Sequence, residues 1–277
     1  MKGRVRCSRC GVATTVPLPT EGELEQAYSG WYRPASGRFA GFGDRLLRRT
    51  RGRLASRLRE IAPPGPVLDV GAGDGALVEA LRRAGREAVG LDQFAAGPQV
   101  RSGTLSEQEG QAWAAVVFWH SLEHLPQPAA ALEEAVRLLE PGGVIVIAVP
   151  NSDSLQAKLF GDRWLALDPP RHLVHLTSAA LRDRLRRLGL RVERVSYLRG
   201  GQVVFGWLDG LVATLPGSPD LYDAVRRREA RSAPLTGPRR AGIVCAAVLL
   251  LPLALLATAV EVGARRGGTV YVEARRT

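Results

Sequence analysis

Two groups of residues in this 277-residue chain have types and spacings that could do chemistry. The first is Asp69-Val70-Gly71-Ala72-Gly73-Asp74-Gly75, a turn of the form G-x-G-x-G. Glycines let a backbone approach a ligand closely, and the start of a following helix offers free N–H groups. Asp92 closes the next apolar stretch, where a carboxylate is placed to accept hydrogen bonds from two ribose hydroxyls. A nicotinamide-binding turn would read G-x-G-x-x-G, and Ala76 stands where its third glycine belongs. The second group is the histidines, four in number and confined to His120-Ser-Leu-Glu123-His124 and His172-Leu-Val-His175. Imidazole takes a proton near neutral pH, which suits it to activating a hydroxyl.

The spelling H-x-x-E-H also occurs in zinc proteases, but there it lies on a helix. Here it leaves an apolar strand and runs into Leu-Pro-Gln-Pro, so the protease reading fails. His120, Glu123 and His124 could also hold a divalent cation together with a histidine of the second cluster. A hard cation prefers oxygen ligands, and no metal is expected.

These residues need elements to position them, and the sequence supplies an alternation of strands and helices from Val67 onward. PVLDVG reads as a buried strand, DGALVEALRRAG as a helix, EAVGLD as a strand and AAVVFWHS as another. PAAALEEAVRLL is a helix stopped by Glu140-Pro141-Gly142-Gly143, and VIVIAVP is apolar without interruption, as expected for a parallel strand covered on both faces. SAALRDRLRRLG is a helix with Thr177 and Ser178 at its start and Gly189 at its end, and LRVERVSYL alternates as a strand. Such alternation predicts a doubly wound α/β sheet. Upstream, DRLLRRTRGRLASRLREI patterns as a helix, ended by Pro63, Pro64 and Pro66.

Taken in order, VLDVGAGDGALVEAL, VGLDQF and FWHSLEHLPQPAAALEEAVRLLEPGGVIVIAVPN resemble the motifs of class I S-adenosylmethionine-dependent methyltransferases over roughly residues 22–200. The subgroup most similar comprises quinone O-methyltransferases and methyltransferases of bacterial envelope-polysaccharide and lipid gene clusters. The resemblance implies a seven-stranded, mostly parallel sheet and S-adenosyl-L-methionine as cofactor. It implies that Gly71, Gly73 and Gly75, with Asp74, cradle the methionine part and that Asp69 positions its amino group. It further implies Asp92 on the ribose, Gln93 and Phe94 beside the adenine, and His120 lining the cofactor. Where family members often carry an acid for the adenine amino group, this chain has Ser102-Gly103-Thr104. His124 is the first choice for catalytic base because it follows a strand at the carboxyl edge of the sheet, where ligands bind. His172 and His175 lie in a loop expected at the same edge. Tyr28-Ser-Gly-Trp31-Tyr32 falls in a segment that in the family folds over the cofactor; its aromatics either exclude water or simply pack on the sheet.

The run AGIVCAAVLLLPLALLATAV, residues 241–260, has membrane length and no charge. The expected sixth strand is RVERVSYL and the seventh GTVYVEARR, so the run lies in an insertion between two strands of one sheet. A single crossing would strand the seventh on the wrong side of a bilayer. The upstream segment VVFGWLDGLVATLP is short and carries Asp209, which disfavours a second crossing. Arg239, Arg240, Arg265 and Arg266 flank the run on both sides, and Pro252 favours a kink within it. These features predict a re-entrant or monotopic hairpin at the inner face of a membrane; the alternative is a helix buried in protein.

The formal charge of +11 is carried almost wholly by arginine, only Lys2 and Lys158 being lysines. With 6% aromatic residues and no recognition motif, nucleic acid is not the expected partner, whereas an anionic lipid surface is. Three cysteines fit a reducing cytoplasm, and the N-terminus lacks a signal-peptide core. Cys7 and Cys10 form a lone C-x-x-C, half of a four-ligand zinc site, so zinc is not expected. Three regions are predicted: residues 1–62, a remnant cysteine knuckle and helical cap; 63–199 plus 267–277, the catalytic core; and 200–266, the apolar insertion. The expected activity is methyl transfer to a hydroxyl of a lipid-linked or membrane-partitioned small molecule, such as a polyprenyl-linked glycan or quinone precursor. Carbon and nitrogen acceptors, and a non-catalytic membrane-attached module of the same fold, are the alternatives.

Overall fold

The computed structural model describes residues 3–29, 39, 43–94, 99–198, 201–231 and 234–277. Trp31 and Tyr32, singled out above, lie outside the described residues. The chain opens with a hairpin of β1 (Gly3–Arg6) and β2 (Ala13–Val16), then α1 (Glu21–Ala27) and α2 (Gly43–Ile61). Strand and helix then alternate: β3 (Val67–Val70), α3 (Ala76–Arg83), β4 (Ala88–Leu91), β5 (Val100–Arg101), β6 (Trp113–Trp119), α4 (Pro128–Leu138) and β7 (Leu139–Pro150). After α5 (Leu155–Phe160) come β8 (Val174–His175), α6 (Ser178–Arg187) and β9 (Leu190–Ser196). Three helices follow, α7 (Gln202–Ala213), α8 (Leu221–Val225) and α9 (Gly237–Gly263), and β10 (Thr269–Arg276) ends the chain.

The main sheet has seven strands in the order β5-β4-β3-β6-β7-β10-β9. β10 runs antiparallel to both neighbours and the other described pairings are parallel, which is the predicted mostly parallel, doubly wound sheet. The period-2 alternation of β6 and β7 divides the core in two. Val116, Phe118, Ile145 and Ile147 face α4 and α6, while Ala115, Val117, Val144 and Val146 face α2 and α3. Each fully buried Val, Leu or Ile contributes roughly 1.5–3 kcal/mol, so both faces must be covered, and both are. An ion pair ties α2 to the sheet: Arg57 donates to both oxygens of buried Glu273 at 3.0 and 2.8 Å, and Tyr271 donates to the same carboxylate at 2.7 Å.

The N-terminal region departs from a simple helical cap. β1 and β2 join β8 in a second, three-stranded sheet, with Ala13 opposite His175 and Thr14 opposite Val174. Strands this short carry too little periodicity to be read from sequence.

The insertion also differs from the expected folded-back hairpin. Residues 237–263 form one continuous helix through Pro252 that leads back to β10, and the outgoing leg, α7, packs antiparallel along it. Ala254 meets Val203 and Trp207 near the sheet, and Ile243 and Ala247 meet Val212, Leu221 and Ala224 farther out. Ile243, Ala247, Ala254, Thr258 and Glu261 are the buried stripe of α9. Glu261 is fully buried and accepts from Gln156 N, Gln156 Nε2 and Trp207 Nε1, all at 2.9 Å, which clamps α5, α7 and α9 together.

Candidate functional site

The chain reverses its direction across the sheet between β3 and β6, and their carboxyl ends bound the crevice in which ligands bind in such folds. On the β3 side lies the glycine turn. Gly71, Gly73 and Gly75 have φ of +77, +60 and +73°, a region that suits glycine. A Cβ on Gly71 would come within 2.3 Å of Ser121 Cβ, so no larger residue fits the turn. Asp92, just past β4, accepts from Gly73 N at 2.8 Å and Phe94 N at 2.9 Å, holding the turn against the end of β4. Asp74 Oδ1 accepts from Ala76 N at 3.2 Å at the start of α3.

Asp69 ends inside this crevice and is 3% exposed, and its Oδ1 has no hydrogen-bond partner. Burial pushes its carboxyl up to about 7; Arg51 opposes this, and Asp92 and Asp74 reinforce it. A buried acceptor with an unused oxygen beside a three-glycine turn fits a ligand bearing an ammonium group. Phe94 stacks on Tyr28 with centroids 4.7 Å apart, which makes an aromatic wall beyond Asp92. Gln93 adjoins it in the chain and is exposed. Glu107, on the turn Ser106–Gln108, brings its carboxylate close to Gly103, so an acid does stand near the segment where the sequence lacked one.

On the β6 side lie the histidines. His124 Nδ1 is 2.9 Å from the carbonyl of Arg171 and 2.9 Å from Tyr28 Oη. A carbonyl only accepts, so the ring proton sits on Nδ1 and Nε2 keeps its lone pair. Burial, reinforced by the neighbouring His172, lowers the His124 imidazole to about 4, so it is neutral at physiological pH. His172 packs edge-on against it with centroids 4.7 Å apart. Its own Nδ1 donates to the carbonyl of Ala166 at 2.8 Å. Its Nε2 faces Glu123 Oε1 at 3.9 Å and Asp168 Oδ2 at 3.6 Å.

Glu123, considered above only as a possible cation ligand, lies among these histidines. It is 2% exposed and neither oxygen has a hydrogen-bond partner. Burial alone would raise its carboxyl, but His120, His124 and His172 outweigh that and hold it below the usual range. Glu123, His124 and His172 bring one oxygen and two nitrogen donors within 4.8 Å of one another. Such a mixed set could hold a borderline transition metal better than magnesium.

Three of the four histidines meet around Glu123, His120 with its Nδ1 3.5 Å from Glu123 Oε1, and His175 stands apart. His120 has a positive φ of 53°, and its Nε2 donates to Gln202 Oε1 at 3.2 Å, which joins the strand end to the first residue of α7. His175 sits in β8, and its Nε2 is engaged with Thr15 Oγ1 of the hairpin at 3.1 Å. Burial, reinforced by His172, lowers its imidazole to about 4. Gln202 had no sequence signal, because only the fold of the insertion brings it back to the crevice. Beside His172 a cavity of about 370 Å³ opens between the 161–171 segment and α8, lined by Trp164, Arg171, Tyr222, Asp223 and Arg226 among others.

The comparisons with known proteins agree with this geometry. Similar relatives include the ubiquinone biosynthesis O-methyltransferases of Alkalilimnicola ehrlichii, 33% identical over 31% of this chain and 41% of the relative, and of Xanthomonas axonopodis pv. citri, 28% identical over 47% and 64%. The chain thus spans about half the length of these relatives. Among solved structures, a methyltransferase in complex with the Trm112 activator from Haloferax volcanii superposes with TM-score 0.53 at 16% identity, over 94% of this chain and 99% of that one. The [4+2]-cyclase SpnF gives the same TM-score at 20% identity, over 94% and 97%, and both likenesses concern the fold. A family model described as a methyltransferase domain matches residues 39–195, more than half of the chain and the whole span from α2 to β9 that carries both the glycine turn and the histidines. The chain therefore belongs to the methyltransferase-domain family.

Proposed function

We propose that this enzyme transfers the methyl group of S-adenosylmethionine to a hydroxyl of a lipid-linked or membrane-partitioned small molecule, with His124 as the base. The observation that carries the reading is the junction of the apolar insertion with the crevice. The exposed face of α9 includes Val248, Leu249, Leu256 and Val260, and α7, which packs along α9, starts at the Gln202–His120 hydrogen bond. An acceptor held in a lipid surface under α9 therefore lies beside the histidines.

In the cofactor half, the backbone of Gly71, Gly73 and Gly75 makes room for the methionine moiety, and Asp74 helps set the start of α3. Asp69 receives the ammonium, Asp92 the ribose, and Tyr28, Gln93 and Phe94 border the adenine. His120 lines the sulfonium side. When bound, the cofactor supplies an electrophilic methyl on a positive sulfur. The chain's part would be alignment and proton removal: the crevice would hold the acceptor hydroxyl in line with that methyl group, and His124 Nε2 would take the hydroxyl proton. Arg171 and Tyr28 fix the ring, His172 packs against it, and Glu123 and Asp168 stabilise the positive charge that His124 acquires. His175 is a positioning residue, tying the His172 segment to the N-terminal hairpin.

The test is incubation of the purified enzyme with methyl-labelled S-adenosylmethionine and, separately, the lipid extract and the aqueous metabolites of its own host. Label is expected in the lipid extract as a base-stable ether. Transfer to the aqueous pool alone overturns the membrane acceptor, and label on carbon or nitrogen overturns the hydroxyl.

A second measurement tests the cofactor half. The Asp69 carboxyl stands at about 7 and must be ionised to pair with an ammonium. Cofactor affinity is therefore flat above pH 7 and falls by up to about tenfold per pH unit below it, each unit being about 1.4 kcal/mol. Calorimetry between pH 5.5 and 8.5 reads this. Asp69→Asn binds more weakly with no such slope, and a wild-type affinity flat across the range overturns the assignment.

A further inference from the structure

The motif that methyl transfer leaves unused is the C-x-x-C at the tip of the β1–β2 hairpin. Both Cys7 and Cys10 are exposed. The tip closes by Cys7 N donating to Val12 O at 2.8 Å and Gly11 N donating to Cys7 O at 2.9 Å, with Gly11 at φ +73°. The Cys7 sulfur accepts from the backbone N–H of Cys10 and of Arg9, and it also contacts the Cys10 thiol. Backbone N–H groups turned onto one sulfur of a thiol pair favour thiolate, the form that ligates metal.

Two thiolates are half of what tetrahedral zinc requires. The chain cannot complete the site from the residues described. Cys245 is on α9, and His175 in β8, on the same small sheet, has its Nε2 on Thr15. No group of three His, Cys, Asp or Glu forms near the hairpin among the described residues. At the same time β1 is the open edge of its sheet. All four of its residues are exposed, Val5 at 63%, and an edge strand without cover is a surface for pairing with a like strand.

We propose that a second copy of this chain supplies the other two thiolates, so that one zinc ion binds two hairpin tips as a four-thiolate site and makes a dimer. Assembly releases four thiol protons to solvent and leaves a net charge of −2 on the site. Arg6, whose guanidinium donates to Gly11 O at 3.0 Å, and Arg9 lie beside it in each copy and offset that charge. Two copies joined this way hold their catalytic crevices on one assembly, independently of what either crevice methylates.

The test uses the full chain in detergent, stripped of metal by a chelator and titrated with zinc chloride, with mass by light scattering and zinc by elemental analysis. The expected result is a monomer that doubles in mass on binding one zinc per two chains, reversed by chelator. The Cys7→Ser/Cys10→Ser variant stays monomeric and zinc-free, with its melting temperature and methyl transfer unchanged. Zinc bound one per chain without change of mass overturns the proposal, as does no zinc uptake at micromolar concentration. A dimer indifferent to both chelator and the serine variant also overturns it, and assigns self-association to the apolar face of α9 instead.

Discussion

Replacing His124 by Gln is expected to lower kcat by 10²–10⁴-fold while leaving the affinity for S-adenosylmethionine within about twofold, the range general-base catalysis contributes. Glutamine stays polar and uncharged in this buried place, so the loop is expected to keep its shape. What is lost is the lone pair on Nε2. Single-turnover rates and calorimetry separate the two effects. A kcat reduced less than fivefold would show that the acceptor loses its proton elsewhere. The pH profile carries the sign: burial holds the imidazole at about 4, so the neutral, competent form persists well below the ordinary histidine range. The acid limb of kcat is thus expected below pH 5, and an ordinary limb near 6.5 would contradict the buried site. Glu123→Gln removes the carboxylate that favours the protonated ring, and should lower kcat with little change in KM.

The sequence carried the cofactor half more completely than the acceptor half, for a physical reason. The glycine turn and Asp92 owe their roles to backbone geometry within one strand-turn-helix-strand unit, so their spacing encodes their positions. The hydrogen bonds from Gly73 and Phe94 to Asp92 are the consequence. β10 was legible for the same reason: eight alternating residues have one place left in the sheet, between β7 and β9. The His124–His172 contact joins residues far apart in the chain through a loop without regular structure, and nothing local announces it. His175 is three residues from His172, yet β8 turns it toward Thr15, and a two-residue strand leaves no period to read. Pro252 was expected to favour a kink in a run that folds back; it costs α9 one backbone hydrogen bond, and the helix continues through it with both flanks packed against neighbouring helices.

The second large effect concerns α9. Its 27 residues make a helix of about 40 Å, longer than a bilayer core is thick, and composition alone would allow a crossing. The neighbours of α9 argue for a helix lying in the plane of the surface. α7 has 12 residues, about 18 Å, too short to return the chain across a bilayer. The side of the lobe next to α8 carries the buried carboxylates of Asp209 and Asp223 and the buried Arg226, groups that belong on the protein side and not in lipid. Val248, Leu249, Leu256 and Val260, 64, 80, 63 and 56% exposed, are the side chains that the proposed membrane reading puts against lipid, with Arg239, Arg240, Arg265 and Arg266 at the ends toward anionic headgroups. Converting those four side chains to serine removes about 4 kcal/mol of apolar transfer, about a thousandfold in partition to anionic vesicles. Since none of the four belongs to the buried stripe that meets α7, the melting temperature should hold. Methyl transfer to a water-soluble acceptor should persist, while transfer to a vesicle-borne one falls with binding. Vesicle sedimentation reads the partition directly. A variant that sediments like the wild type removes the membrane reading, and a wild-type oligomer that the variant dissolves would make this face a contact between proteins.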